Sequence, residues 1–199
     1  AYPDAEEVTW DDIDQDCDGE DLHDFAAVSA GGYHSCALPT SGTMLCWGID
    51  DGGIHDYGQV SDTPTSSGYT AVSAGGFHNC TLDSSGDIEC WGYDEYAQVS
   101  DAPTDSGYTA GSAGAYHNCA LDSSGGIECW AWDDYAQVSD APTGAGYTAV
   151  GAGSYHTCAI DASSSIECWG NNEHGQSTAP SGTFATVSAG QNHTCGVTT

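Results

Sequence analysis

Asp14, Asp16, Asp18, Glu20 and Asp21 crowd into one short run of this 199-residue chain, Asp-Gln-Asp-Cys-Asp-Gly-Glu-Asp. The pattern is D-x-D-x-D-G. Alternate carboxylates followed by a glycine turn let a single loop wrap a hard cation in oxygen ligands, and calcium suits that spacing. The alternative is a solvated acidic linker. Ten cysteines are the second chemical inventory. Eight fall into four pairs at one spacing: Cys36 with Cys46, Cys80 with Cys90, Cys119 with Cys129, and Cys158 with Cys168. A hairpin centred on Ser85 sets Cys80 opposite Cys90 and Leu82 opposite Ile88. Facing residues on antiparallel strands bring their Cβ atoms close enough for a disulfide after a small adjustment. Zinc is disfavoured, because two ligands ten residues apart without a C-x-x-C knuckle do not make its usual site. Disulfides imply an oxidising compartment. Cys17 and Cys195 remain, and a bond between them would staple one molecule or link two.

The charge inventory has one sign. There are 30 Asp and Glu, no Lys, no Arg, and a formal net charge of −30. Phosphate neutralisation is impossible with such a set, which excludes nucleic acid as a partner. A basic membrane-surface patch is excluded too, and no apolar run reaches the length of a membrane helix, so insertion into a bilayer is not expected. Carboxylates in this excess repel one another, so dissolved cations must neutralise them. An extracellular or cell-surface setting follows, with Ala1 in place of Met hinting at a processed chain.

These residues are positioned by a repeat. The run SGYTAVSAGGFHNCTLDSSGDIECWGYDEYAQVSDAPTD recurs with few changes. The copies occupy 25–68, 69–107, 108–146 and 147–183, with a partial copy at 184–199. Opening aromatics Phe25, Tyr69, Tyr108, Tyr147 and Phe184 give periods of 44, 39, 39 and 37 residues. Within each copy, Tyr-Thr-Ala-Val-Ser, His-Asn-Cys-Thr-Leu and Ile-Glu-Cys-Trp alternate as strands do, and Gln-Val-Ser reads as a fourth. Four strands in about 40 residues is the size of a propeller blade. The expected fold is all-β, a β-propeller of about five short four-stranded blades. Residues 1–24 form a separate acidic segment. Trp10 precedes Phe25 by the same 15 residues that separate Trp169 from Phe184. Residues 6–11 are therefore expected to supply the strand that the last copy lacks, within one molecule or to a neighbour.

The pattern A-G-x-x-H-x-C-A-L…G-x-x-x-C-W-G…G-Q resembles the repeat of the regulator of chromosome condensation family, over residues 25–199. That resemblance implies a β-propeller, commonly seven-bladed, and marks His34, His78, His117, His156 and His193 as structural residues that hold the preceding glycine turn. The family's nuclear exchange role is not implied, because paired cysteines and absent basic residues contradict that setting. The run at Asp14 resembles the calcium loops of EF-hands and of thrombospondin type 3 repeats, departing from the EF-hand where Phe25 stands at the twelfth position.

Trp47, Trp91, Trp130 and Trp169 follow the second cysteine of each pair, a period that points to packing between blades. Tyr93, Tyr96, Trp132 and Tyr135, interspersed with acidic residues, form loop edges suited to stacking on a sugar or meeting a protein, with a solvated rim as the alternative. Asn79 and Asn192 head N-x-[ST] sequons, candidate glycosylation sites in an exported chain. No nucleophile elbow, H-E-x-x-H pair or phosphate loop is present, so no enzyme is expected. The sequence thus describes a secreted, non-catalytic, disulfide-locked structural protein. It would self-associate as a homo-oligomer or head-to-tail filament with calcium at the joint. A monomeric module binding a glycan or surface protein is the alternative.

Overall fold

The computed structural model describes residues 25–40 and 42–199. Every element in them is a β-strand, grouped into five small antiparallel sheets. Blade one holds β1 (Phe25–Ala30), β2 (His34–Pro39) and β3 (Leu45–Gly48). Blade two holds β4 (Tyr69–Ala74), β5 (His78–Asp83) and β6 (Ile88–Gly92). Blade three holds β7 (Tyr108–Ala113), β8 (His117–Asp122) and β9 (Ile127–Ala131). Blade four holds β10 (Ala149–Ala152), β11 (His156–Ile160) and β12 (Ile166–Gly170), and blade five β13 (Phe184–Ala189) and β14 (Thr194–Thr198).

The hairpin register is the one the cysteine spacing requires. Cys80 faces Cys90 and Leu82 faces Ile88, and the cysteine pairing recurs in the other three-stranded blades. Disulfides join Cys36 to Cys46, Cys80 to Cys90, Cys119 to Cys129 and Cys158 to Cys168. The turn between β5 and β6 needs a left-handed residue, and Gly86 supplies it at φ 78°. A side chain there would also strike the Tyr108 carbonyl oxygen, 2.4 Å away.

One expectation is corrected. The Gln-Val-Ser stretches are turns, so blades one to four have three strands each and not four. The reason is local. Asp94 Oδ1 accepts from the backbone N–H groups of Val99 and Ser100, and Asp101 N–H donates to the Ala97 carbonyl. Asp133 does the same for Val138 and Ser139. These groups are spent within the loop and cannot pair with a neighbouring strand.

The core lies between blades. Leu38 and Met44 of blade one meet Tyr69 and Trp91 of blade two, and Leu82 of blade two meets Tyr108 and Trp130 of blade three. Each blade thus buries its apolar face only by stacking on its neighbour. Contacts run β1·β4, β4·β7, β7·β10 and β10·β13. No contact of that extent leads from blade five back to blade one among the described residues, so the blades form an open arc.

A repeated hydrogen-bonded joint fixes the stacking. The His34 ring Nε2 lies 2.6 Å from Asn79 Oδ1, and Asn79 Nδ2 donates to the Gln59 carbonyl, as does Trp91 Nε1. Because the Asn amide nitrogen is already committed to a carbonyl, its oxygen must accept, and the imidazole proton sits on Nε2. His78, Asn118, Gln98 and Trp130 repeat the arrangement. In the next joint Thr157 replaces Asn and receives His117, while Trp169 donates to the Gln137 carbonyl. The glycine after each first strand permits the close approach. A Cβ on Gly75 would lie 2.4 Å from the Gly114 carbonyl oxygen.

Candidate functional site

Loops between the first and second strands of all five blades line an axial funnel of about 450 Å³. Its wall is stitched by loop-to-loop bonds: Gly32 N–H donates to the Gly75 carbonyl, Gly76 to Gly114, Ala115 to Gly153 and Ser154 to Gly190. Tyr33, Phe77, Tyr116 and Tyr155 stand on these loops, each one residue before a buried histidine. Tyr33 stacks on Phe77 with centroids 5.1 Å apart, and Tyr116 stacks on Tyr155 at 5.9 Å. These four rings form an inner arc.

An outer arc comes from the loops after the third strands. Tyr57 meets Tyr93 at 4.6 Å, Tyr93 meets Tyr96 at 6.0 Å, Tyr96 meets Trp132 at 6.0 Å, and Trp132 meets Tyr135 at 5.5 Å. The arcs interlock, since Trp132 also touches Tyr116 at 5.5 Å and Tyr155 at 5.4 Å. The geometries are mainly edge-to-face and offset, as ring quadrupoles prefer. Two devices hold the outer rings. Tyr93 and Trp132 donate their backbone N–H groups to the carbonyls of Phe77 and Tyr116. The buried side chains of Gln59, Gln98 and Gln137 accept from the N–H groups of Tyr57, Tyr96 and Tyr135 through Oε1. One glutamine thus sets the ring with its side chain and receives the next blade's Trp with its carbonyl.

Carboxylates border the rings. The Tyr93 hydroxyl donates to Glu95, and burial together with that neighbour raises the phenol well above its ordinary value. Burial works to raise the Asp94 carboxyl, but the backbone N–H groups of Ser100 and Val99 outweigh it and hold the acid below the usual range. Beneath the arcs the histidines are neutral. Burial pulls His78 down to about 4 and His117 to about 3. Their Nδ1 atoms have no hydrogen-bond partner, as expected for an unprotonated nitrogen packed against glycine.

The structure brings Tyr93, Tyr96, Trp132 and Tyr135 into one patch. It adds Tyr33, Tyr57, Phe77, Tyr116, Tyr155 and His55, which the sequence reading passed over. Their signal was present: an aromatic stands immediately before the histidine in four successive copies. Asn79 is corrected. A glycan acceptor must face outward, yet Asn79 is fully buried in the joint between blades one and two and cannot carry a glycan in the folded chain. Asn192 is exposed. Cys195 is exposed and has no disulfide partner among the described residues. Cys17, its expected partner, lies outside the described residues, as do Asp14, Asp16, Asp18, Glu20, Asp21 and the strand expected at residues 6–11. Among the described residues no three His, Cys, Asp or Glu gather as a metal site would require, and no helix is long and apolar enough to cross a membrane.

At the ends of the arc the joint is half made among the described residues. Trp91, Trp130 and Trp169 are buried on the preceding blade, whereas Trp47 is 52% exposed. At the other end His193 is exposed, and β14 has no third strand beside it among the described residues, leaving Val197 62% exposed. A hollow of about 220 Å³ next to β14 is lined by Cys168, Gln176, Ala179, Pro180, His193 and Thr194, among others. In the preceding joints the corresponding place, beside the second cysteine and the glutamine, receives a tryptophan.

The profile of the regulator of chromosome condensation (RCC1) repeat matches residues 25–59, 69–98 and 147–176. Among solved structures, the chain is similar to the CRINKLY WD40 ectodomain of the Arabidopsis thaliana receptor kinase ACR4, at 30% identity and a TM-score of 0.66 over 86% of this chain and 60% of that one. It is similar to the ectodomain of the Physcomitrella patens receptor kinase CR4, at 27% identity and a TM-score of 0.67 over 87% of this chain and 47% of that one. The Saccharomyces cerevisiae protein Prp20p shares the fold, at 18% identity and a TM-score of 0.72 over 86% of this chain and 55% of that one. The chain therefore spans between 47% and 60% of the length of these structures. No curated protein matches the sequence.

Proposed function

We propose that this propeller of regulator of chromosome condensation repeats is a non-catalytic extracellular structural protein that assembles head to tail. The observation that carries the reading is the half-made joint at each end of the arc. Among the described residues β14 offers an unpaired edge and a hollow of tryptophan size, while blade one offers Trp47, 52% exposed. An open sheet edge with a vacant side-chain socket is the usual acceptor for a donated strand. Residues 6–11, which carry Trp10, are the proposed donor, reaching blade five of the next subunit. A heterologous contact of this kind repeats without closing and generates a filament. Subunits carrying a formal charge of −30 repel, so assembly calls for counterions. Calcium on Asp14, Asp16, Asp18, Glu20 and Asp21 would neutralise the joint and order it. Four disulfides and the likeness to receptor ectodomains support the extracellular setting.

Negative-stain images and sedimentation of the full chain, with calcium and with a chelator, test this. Rods with a one-subunit repeat are expected, dissolving on chelation and failing to form in Trp10→Asp. Monodisperse single particles at every concentration in calcium would overturn it.

A second reading rests on the two aromatic arcs, which make a binding surface for a glycan or protein on each subunit. The likeness to receptor ectodomains favours it. The two readings concern different faces and can both hold.

A further inference from the structure

The outer arc repeats one small device on three successive blades. Tyr57, Tyr96 and Tyr135 occupy the same place, two residues before the buried glutamine, and they are 40%, 41% and 42% exposed. Each follows a carboxylate directly: Asp56, Glu95 and Asp134. Each of these three blades thus presents an open phenol ring beside a negative charge. The chain has no Lys or Arg of its own to occupy these sites.

The hydrogen-bonding character of the patch narrows the ligand further. Its backbone donors at Tyr57, Tyr96 and Tyr135 are consumed by the glutamines, those at Tyr93 and Trp132 by the inner loops, and the Tyr93 hydroxyl by Glu95. What remains is ring faces, carboxylate oxygens that only accept, and the Tyr57, Tyr96 and Tyr135 hydroxyls and Trp132 indole N–H, so the distinguishing feature of the patch is negative charge with no positive counterpart. A matching ligand must bring positive charge. A second copy of this chain cannot, since it is equally acidic. A neutral glycan supplies no charge.

Resting on the reading of the arcs as a binding surface, we infer that they dock an extended, Arg- or Lys-bearing polypeptide segment of another protein. Successive cations lie over the Tyr57, Tyr96 and Tyr135 rings and pair with the adjacent carboxylates. A cation over an aromatic face gains from the ring quadrupole, more so when partly desolvated, and a guanidinium also stacks. Three sites one blade apart make the attachment multivalent, so a chain with one basic residue binds far more weakly than one with three.

The probe is a fluorescent twelve-residue peptide, Arg-Gly-Gly-Ser repeated three times, titrated by anisotropy against the full chain at low salt and at about 0.5 M salt, where exposed charges are screened. Its Gln-for-Arg analogue and the neutral sugar cellohexaose are run beside it. Binding of the Arg peptide is expected to persist at high salt, and the Gln analogue should not bind. Tyr96→Leu with Tyr135→Leu, which keeps apolar bulk and removes the rings, should weaken binding at least tenfold. Asp87→Asn with Asp105→Asn, at the far end of the blades, should change it less than twofold. Circular dichroism establishes that each variant is folded. Loss of wild-type binding at high salt, or equal effects of the two double variants, reduces the attraction to bulk charge and overturns the inference. Cellohexaose binding that depends on Tyr96 and Tyr135, with no such dependence for the Arg peptide, keeps the surface but overturns its assignment to a cation. If no probe responds to the tyrosines, the surface reading falls as well.

Discussion

Mild acid should loosen the arc before any carboxylate is titrated. His78 and His117 are buried in the joints, with folded values lowered from 6.5 to about 4 and about 3, chiefly by burial. The unfolded chain takes up these protons first. Stability is therefore complete above about pH 7 and falls as the pH drops from there toward the folded values. At pH 5.5 each residue contributes about 1.4 kcal/mol less than at pH 7.5, or about 3 kcal/mol for the pair. His34 and His156 are also lowered by burial and add to the loss in the same direction. Ordinary carboxylates titrate near pH 4, so they stay ionised across this window. Below it their protonation relieves repulsion and acts with the opposite sign. Urea unfolding followed by tryptophan fluorescence at pH 7.5 and 5.5 measures the difference. His78→Gln should cost stability at both values and shrink the pH difference by about 1.4 kcal/mol. Equal stability at the two values, or greater stability in acid, would refute the placement of neutral imidazoles inside the joints.

Two substitutions test the packing more directly. Trp130→Ala should cost about 3–5 kcal/mol, as for a buried aromatic, whereas Trp47→Ala should cost about 1 kcal/mol or less in dilute monomer. Their exposures, 7% and 52%, set the contrast, and paired urea curves read it. Ala131 holds φ 81° where the other copies have Gly48, Gly92 and Gly170. Ala131→Gly should raise stability by about 1 kcal/mol, seen as a higher Tm.

The hairpins were legible because both of their signals are local. Period-two alternation and a turn at Ser85 fix the register of Cys80 on Cys90 without reference to any other blade. The misreadings were of environments created by a neighbour. Asn79 alternates with Cys80, which on a one-sided sheet would turn it to solvent. In a stack of blades the middle strand is covered on both faces, and β5 is buried at every position but the last. Gln-Val-Ser alternates like a strand too, but Asp94 takes its N–H groups first. Tyr33 and Phe77 looked like ordinary repeat residues because their contact joins two blades. Four identical Trp positions gave no hint that Trp47 would differ, since exposure there depends on where the arc ends.

Each cross-link closes a loop of ten residues within a single hairpin and never reaches another blade. Eight thiols can pair in 105 ways, yet here each finds the partner nearest along the strand ladder. An oxidised chain in denaturant is then a string of four small clasps with their strand register already set. On dilution the clasps have only to stack in sequence, a search of short range. A reduced chain must first find four registers among near-identical repeats, where a clasp made with the wrong copy is the obvious trap.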